Sequence, residues 1–236
     1  MLECPEKSIT ICGKNGCTSQ AIYECSDCDN PAPLCENCLV DCHRSLPLHR
    51  PMKWNGMYYE RESLAKLGIV WYLGYAGMQC PYVNEGRGIQ ELTVLDITGV
   101  HTISVGFCQC SKGPEPAEQL LLVKLFPATV LRPQTAFSFR ALKLFHMVHL
   151  TAHTTVWDFI GAMHRLSNCL DFKALHGTYK QFNFVQRQWR IIRAWCQSGR
   201  TTIDGPKTDI PLAMPCVSCP MPKVNIPPNW DCDPDR

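Results

Sequence analysis

The sequence predicts an α+β protein whose front is folded by metal ions. The expected order is a small cross-braced zinc module, a small β-sheet with a second cysteine cluster, a helical region and a proline-rich tail. Three observations lead there. Eight ligand-type side chains in the first fifty residues come as four close pairs: Cys12/Cys17, Cys25/Cys28, Cys35/Cys38 and His43/His49. Two runs of alternating apolar residues then flank Gly99, with Cys80, Cys108 and Cys110 around them. Beyond Gly113 the apolar period lengthens to that of helices.

Cysteine usage favours metal over disulfides. Sixteen cysteines in 236 residues would suggest a stapled scaffold in a secreted chain. The start, MLECPEKSITICGKNG, shows no basic-then-apolar leader, and no apolar run approaches the length of a membrane span. Thiols kept in a reducing compartment remain free to bind metal, so a nuclear or cytoplasmic protein is expected, neither secreted nor in a membrane. The formal charge of +2 counts every cysteine as neutral. A Cys4 zinc site contributes about −2 and a Cys2His2 site about zero, so the metallated chain is near neutral. Bulk charge therefore gives no reason to expect nucleic-acid binding, and any such argument needs a local patch.

The elements follow in order. Residues 1–11 read as a tail with Cys4 unattached, and residues 12–50 as the metal module. A pair at short spacing lets one tight turn aim two side chains at one tetrahedral ion, and four pairs close two sites. Adjacent pairs could close two beads in a row. The favoured alternative is a cross-brace, with a strand over residues 21–25 feeding the second pair and a helical turn over 34–43 carrying the third pair into His43. Site one is then Cys12, Cys17, Cys35 and Cys38; site two is Cys25, Cys28, His43 and His49. Either Cys42 or His43 can serve as ligand, with His43 preferred and Cys42 then a buried thiol. This arrangement resembles a B-box, although the gap from Cys12 to Cys17 is longer than the usual two residues.

Residues 51–113 read as the β-rich part. A strand at 52–54, a turn at Asn55–Gly56, a short helix at 62–67 ended by Gly68, and a strand at 69–75 precede a hairpin of strands 92–98 and 101–110. The cluster Cys80, Cys108 and Cys110 can hold a third zinc ion, with His101 a candidate for the fourth ligand. Alternatively Cys108 and Cys110 share one strand face and simply pack. Three thiols with an open corner could also mark a catalytic zinc, but no nearby general base supports that.

Residues 114–200 read as helical: a short helix at 117–125, then long ones at 137–151, 156–170 and 175–197. In the last, Phe182, Val185, Trp189, Ile192 and Cys196 form an apolar stripe, with Arg187, Arg190 and Arg193 on or near the other side. A solvated helix face explains these cations, and phosphate contact is the sharper alternative. His146, His149 and His153 share one helical arc without the glutamate of a metalloprotease motif, and read as helix-face residues. Residues 201–236 are proline-rich, with Cys216, Cys219 and Cys232 resembling half of a site.

The string Cys25-x2-Cys28, Cys35-x2-Cys38, His43, PLHRPMKW continues to LAKLGI, YLGYAGMQC, LDITGVH and VGFCQC. It resembles the second type of CxC cysteine cluster attached to KDZ (Kyakuja–Dileera–Zisupton) transposases. The likeness continues through EQLLLVKLFPATVLRPQTAFSFRALKLF and DFIGAMHRLSN to PCVSCPMPKVNIPPNW. It implies a non-catalytic zinc module of a DNA transposase, serving DNA recognition or assembly of the transposition complex, with DNA or a protein as partner and a nuclear location. It also implies that the acidic catalytic core falls outside this chain, as in a truncated copy without enzyme activity. The family usually carries His where this chain has Tyr75. The alternative function is a B-box-like protein-interaction module linked to ubiquitin transfer, which a ubiquitin-discharge assay would separate from the first.

Overall fold

The computed structural model describes residues 11–29, 32–82, 88–111, 113–167, 175–197 and Ile226. The chain divides into two compact units, Met1–Gln186 and Arg187–Arg236. Of the second, only the end of the last helix and Ile226 are among the described residues. The expected features at Cys4, Cys216, Cys219 and Cys232 lie outside the described residues.

The fold is α+β, with two sheets and five α-helices among the described residues. The first sheet is antiparallel, in the order β1 (Tyr23–Cys25), β2 (Pro51–Trp54), β3 (Tyr59–Arg61). Tyr23 pairs with Lys53 and Cys25 with Pro51, so this sheet joins the two sides of the boundary expected at residue 50. Between β1 and β2 lies α1 (Glu36–His43). Its core side is Leu39, fully buried, beside Tyr23, whose hydroxyl donates to Glu36 at 3.0 Å. Asn55 turns the chain from β2 into β3, its Oδ1 accepting from the amides of Met57 and Tyr58 at 2.9 Å. Sequence reading placed the turn there but not β3, because MYYE in isolation carries no alternation.

The short helix expected at 62–67 is a turn instead. Ile69 N–H reaches the Leu64 carbonyl at 3.1 Å, but Gly68, at φ +77°, swings the chain out before a second turn can form. A helix this short cannot offset its own nucleation.

The second sheet has the order β4-β6-β5-β8-β7. Its strands are β4 (Val70–Tyr72), β5 (Ile89–Asp96), β6 (Gly99–Gly106), β7 (Leu125–Pro127) and β8 (Thr135–Ser138). The expected hairpin is β5/β6, antiparallel in unbroken register from Ile89/Gly106 to Asp96/Gly99. Its turn is Ile97–Thr98 and not Gly99, which has φ +127° and opens β6 opposite Asp96. Both strands start and stop about three residues earlier than expected, so Cys108 and Cys110 lie beyond the end of β6 and not along it. β4 is shorter than the strand expected at 69–75, giving way to a single 3-10 turn at Tyr75–Gly77. Gly106 lets β4 pair closely with β6, because a Cβ there would overlap the Tyr72 ring.

Alternation puts Leu92, Val94, Ile103 and Val105 on one face of the hairpin, where they pack with Phe107, Leu120, Leu125 and Ala136. Leu48 from the metal module and Trp71 and Leu73 from around β4 close over this core. Helix α2 (Pro116–Leu122) starts with Pro116 in its first turn and a reciprocal Glu115/Glu118 capping box.

The helix expected from residue 137 begins at 139, because residues 135–138 pair as β8 with β5 and β7. Helix α3 (Phe139–Ala152) is capped by Ser138, whose Oγ accepts from the Ala141 amide at 3.1 Å. The same hydroxyl donates to Asp96, a fully buried carboxylate that also takes Arg140 at 2.8 Å and the Thr98 hydroxyl at 3.2 Å. Asp96 thus ties the hairpin tip to the start of α3. Helices α4 (Val156–Ser167) and α5 (Leu175–Gln197) complete the helical region. Phe137, Phe145, Phe159 and Phe182 meet there with ring centroids 5.1–5.6 Å apart, spacings at which aromatic pairs attract.

Candidate metal centres

Site one is assembled from a loop and a helix start. Ile11 and Gln20 form an antiparallel bridge, and the Cys12 amide donates to the Ser19 carbonyl at 3.0 Å, closing the loop that holds Cys12 and Cys17. Gly16, at φ +81°, turns the chain back within that long gap. The loop docks through the Gly13 amide on the Pro33 carbonyl at 2.9 Å, so close that a Cβ at Gly13 would stand 2.7 Å from that of Ala32. Cys35 is the extended residue just before α1, and Cys38 lies in its first turn. The Cys35 amide points at Cys12 Sγ at 3.4 Å, and the Sγ atoms of Cys17 and Cys35 are 3.8 Å apart. All four sulfurs lie within 4.8 Å of one another. Four sulfurs about 2.3 Å from one tetrahedral ion stand about 3.8 Å apart, so the quartet fits such an ion.

Site two joins the second pair to the fourth. Cys28 Sγ lies 3.3 Å from His43 Nε2 and 3.4 Å from His49 Nδ1, and Cys25 Sγ lies 3.6 Å from His49 Nδ1. These match the edge of about 3.5 Å expected between sulfur and nitrogen on one zinc-sized ion. The His43 tautomer is set by its other nitrogen, since Nδ1–H donates to the Leu39 carbonyl at 2.9 Å and leaves the Nε2 lone pair facing the site. The cysteine turn is clamped to the histidine end by Asp27, which accepts from the Arg50 amide at 2.8 Å and from its guanidinium at 2.9 and 3.1 Å. Between Cys42 and His43 the geometry chooses His43: its ring is fully buried in the quartet, whereas Cys42 is exposed and not the buried thiol that was expected.

The thiols share protons unevenly. Hydrogen bonds from the Ser19 amide and hydroxyl draw Cys17 down to about 6, while the bond with Cys35, then burial, push Cys38 up to about 12. In site two burial raises Cys28 to about 11, with Cys25 adding to it, and the bond to Cys25 raises His43. Clustered thiols cannot all ionise against each other, and a shared cation removes the conflict.

The third cluster lies past β6. Cys80, Cys108 and Cys110 place their sulfurs 3.3, 3.7 and 3.8 Å apart. Bonds from the Gln109 and Tyr82 amides outweigh burial and lower Cys80 to about 7. Gln119, 2% exposed on α2, holds the backbone of Cys108 on both sides. Its Oε1 accepts from the Cys108 amide at 2.8 Å, and its Nε2 donates to the carbonyls of Cys108 at 2.9 Å and Pro114 at 2.8 Å. Sequence reading missed Gln119; a lone glutamine on an apolar helix face was the available signal.

His101 is not brought to this cluster. It sits near the hairpin tip, opposite Val94, and shares a cavity with His49 and Arg50 of site two. Its Nε2 faces the Thr98 hydroxyl at 2.8 Å. Burial lowers His101 to about 4, which links it to stability. The unfolded imidazole takes a proton near pH 6.5 and the folded one does not, so its contribution is full above that pH and is lost as pH falls toward 4. We predict that His101→Gln reduces the acid loss of stability by about 2 kcal/mol at about pH 5 relative to pH 7.5, read from urea denaturation. Parallel pH profiles for the two proteins would refute this.

On α5, Phe182, Val185 and Trp189 are buried, while Ile192 and Cys196 are exposed, so the expected stripe stops short of the helix end. Arg187 and Arg193 are exposed and Arg190 half-buried. His149 Nδ1–H donates to the Thr154 carbonyl at 2.9 Å, and His153, at φ +52°, ends α3; the metal-type groups among the described residues do not include them.

Residues 64–171 match the family model described as CxC2 like cysteine cluster associated with KDZ transposases. Residues 64–171 form a CxC2-like cysteine-cluster segment. No curated protein and no solved structure shows a significant match. The CxC2 segment contains the third cluster and Gln119 and begins after both quartets, whereas the likeness of the sequence string starts further upstream. No helix among the described residues is long and apolar enough to cross a membrane.

Proposed function

We propose that this chain is a non-catalytic zinc module of a KDZ-type DNA transposase, serving DNA recognition or assembly of the transposition complex in the nucleus. The observation that carries it is the convergence of three Cys/His groups on tetrahedral spacing in a chain with a CxC2-like segment. Zinc suits a Cys4 and a Cys2His2 quartet, because it takes thiolate and imidazole alike with no preferred geometry beyond four-fold packing. Both quartets are closed, all corners being protein ligands, which is the character of structural and not of catalytic ions.

The cations for a nucleic-acid contact are Arg187, Arg190 and Arg193 on α5. Fluorescence anisotropy with duplex DNA tests the reading: affinity should fall as salt rises, and Arg187→Ala/Arg193→Ala should flatten that slope by up to about two charges. Binding that ignores salt, or that is absent at low salt, rejects DNA contact and leaves assembly with a protein.

A further inference from the structure

Three sulfurs leave one corner of a tetrahedral ion open at the third cluster. Among the described residues no histidine or carboxylate joins Cys80, Cys108 and Cys110. A side-chain oxygen does reach them: Tyr75 Oη stands 3.0 Å from Cys110 Sγ.

The backbone leading to that contact is unusual. β4 ends at Tyr72, and the next residues follow the sheet only as far as the Leu73 amide, which donates to the Gly106 carbonyl at 3.0 Å. Tyr75, Ala76 and Gly77 then take φ values of +48°, +55° and +88°. Left-handed backbone at an aromatic residue and an alanine costs about 1–3 kcal/mol each. Apolar packing does not offset this, since Tyr75 is 44% exposed and the turn buries no residue. What the turn achieves is delivery of the phenol to the sulfurs. Gly74 permits it, because a Cβ there would stand 3.2 Å from that of Cys108. The groove around the phenol is lined by Leu73, Pro114 and Leu122 together with Cys108 and Cys110, an apolar setting that strengthens any charge pairing within it.

We propose that Tyr75 is the fourth ligand of the third cluster, its phenolate oxygen completing a Cys3Tyr site for a zinc-class divalent cation. This rests on the reading that the cluster holds an ion at all. Binding releases the phenol proton and any remaining thiol protons to solvent, leaving three Zn–S bonds and one Zn–O bond. With a harder donor at an exposed corner, the third ion exchanges faster than the ions of the two closed quartets.

The test uses the full chain, reduced and stripped of metal, titrated with Co²⁺. Thiolate-to-cobalt charge-transfer bands count the ions, and the ultraviolet difference band of tyrosinate reports phenol ionisation. Cys108→Ser identifies which equivalent belongs to the cluster. The expected result is a tyrosinate band that grows with that equivalent alone. Tyr75→Phe should abolish the band and weaken that ion about tenfold or more, since even an outer-shell partner is worth that much. Tyr75→His should keep the ion without the band. An ion bound with no tyrosinate signal, or equally tightly by Tyr75→Phe, overturns the proposal while leaving the cluster a metal site. If Cys108→Ser removes no equivalent at all, the cluster reading itself fails.

Discussion

Replacing Cys35 by alanine is expected to unfold the amino-terminal module as well as to remove one metal ion. The side chains buried over residues 11–50 are mainly the ligands themselves: Cys12, Cys25, Cys35, Cys38 and His43. Tyr23 and Leu39 are the large apolar side chains fully buried with them, and each contributes about 1.5–3 kcal/mol. Ordering that many residues costs about 1–2 kcal/mol apiece in backbone entropy. On the proposed reading the balance comes from metal, since structural zinc supplies about 10–16 kcal/mol per site at neutral pH. Cys35 also stands immediately before α1, and its thiol ties that helix to site one, so its loss loosens the helix that carries His43 to site two. Elemental analysis should therefore show at least one equivalent lost, and limited proteolysis should cut within residues 11–50 while sparing the five-stranded sheet. Cys42→Ala, one residue from a ligand but exposed, should change stability by less than about 0.5 kcal/mol. A Cys35→Ala protein that keeps its metal and resists protease would show that the quartet does not hold the module together.

The same physics explains what was legible in the sequence. Ligand spacing survives any fold that puts two cysteines on one tight turn, so the quartets and the order of their closure could be read from Cys12 to His49. The hairpin could be read because its two eight-residue strands flank the short turn Ile97–Thr98 with alternating apolar residues. What escaped is set by tertiary pairing. β8 looks like the start of a helix, since TAFS leads straight into an apolar periodic run, and only β5 and β7 on either side hold it extended. His101 is close in sequence to Cys108 but separated from the third cluster by most of a strand, which places it beside His49 instead. Tyr75 and Gln119 act on that cluster from a strained turn and a separate helix, and neither leaves a spacing signature.

Gln119→Leu is expected to have the largest effect of any change outside the ligands. The side chain is 2% exposed and makes three hydrogen bonds, two of them to the backbone of Cys108. Leucine has similar volume and suits the apolar neighbours, so packing is little changed. The cost lies in the amide and carbonyl of half-buried Cys108, which lose their partner at about 1–3 kcal/mol for each group left unsatisfied, whereas the carbonyl of exposed Pro114 can turn to water. The loop carrying Cys108 and Cys110 must then move to find water, and the sulfurs lose their 3.3 Å spacing. Urea denaturation should show a loss of several kcal/mol, and competition with a chelator should show the third ion about 10–100-fold weaker with both quartets unaffected. Gln119→Glu separates anchoring from packing, because a carboxylate still accepts from the Cys108 amide but can no longer donate to either carbonyl. It should fall between wild type and leucine in metal affinity. Equal affinity in all three proteins would mean that the cysteines find their own spacing, and that Gln119 merely fills space on α2.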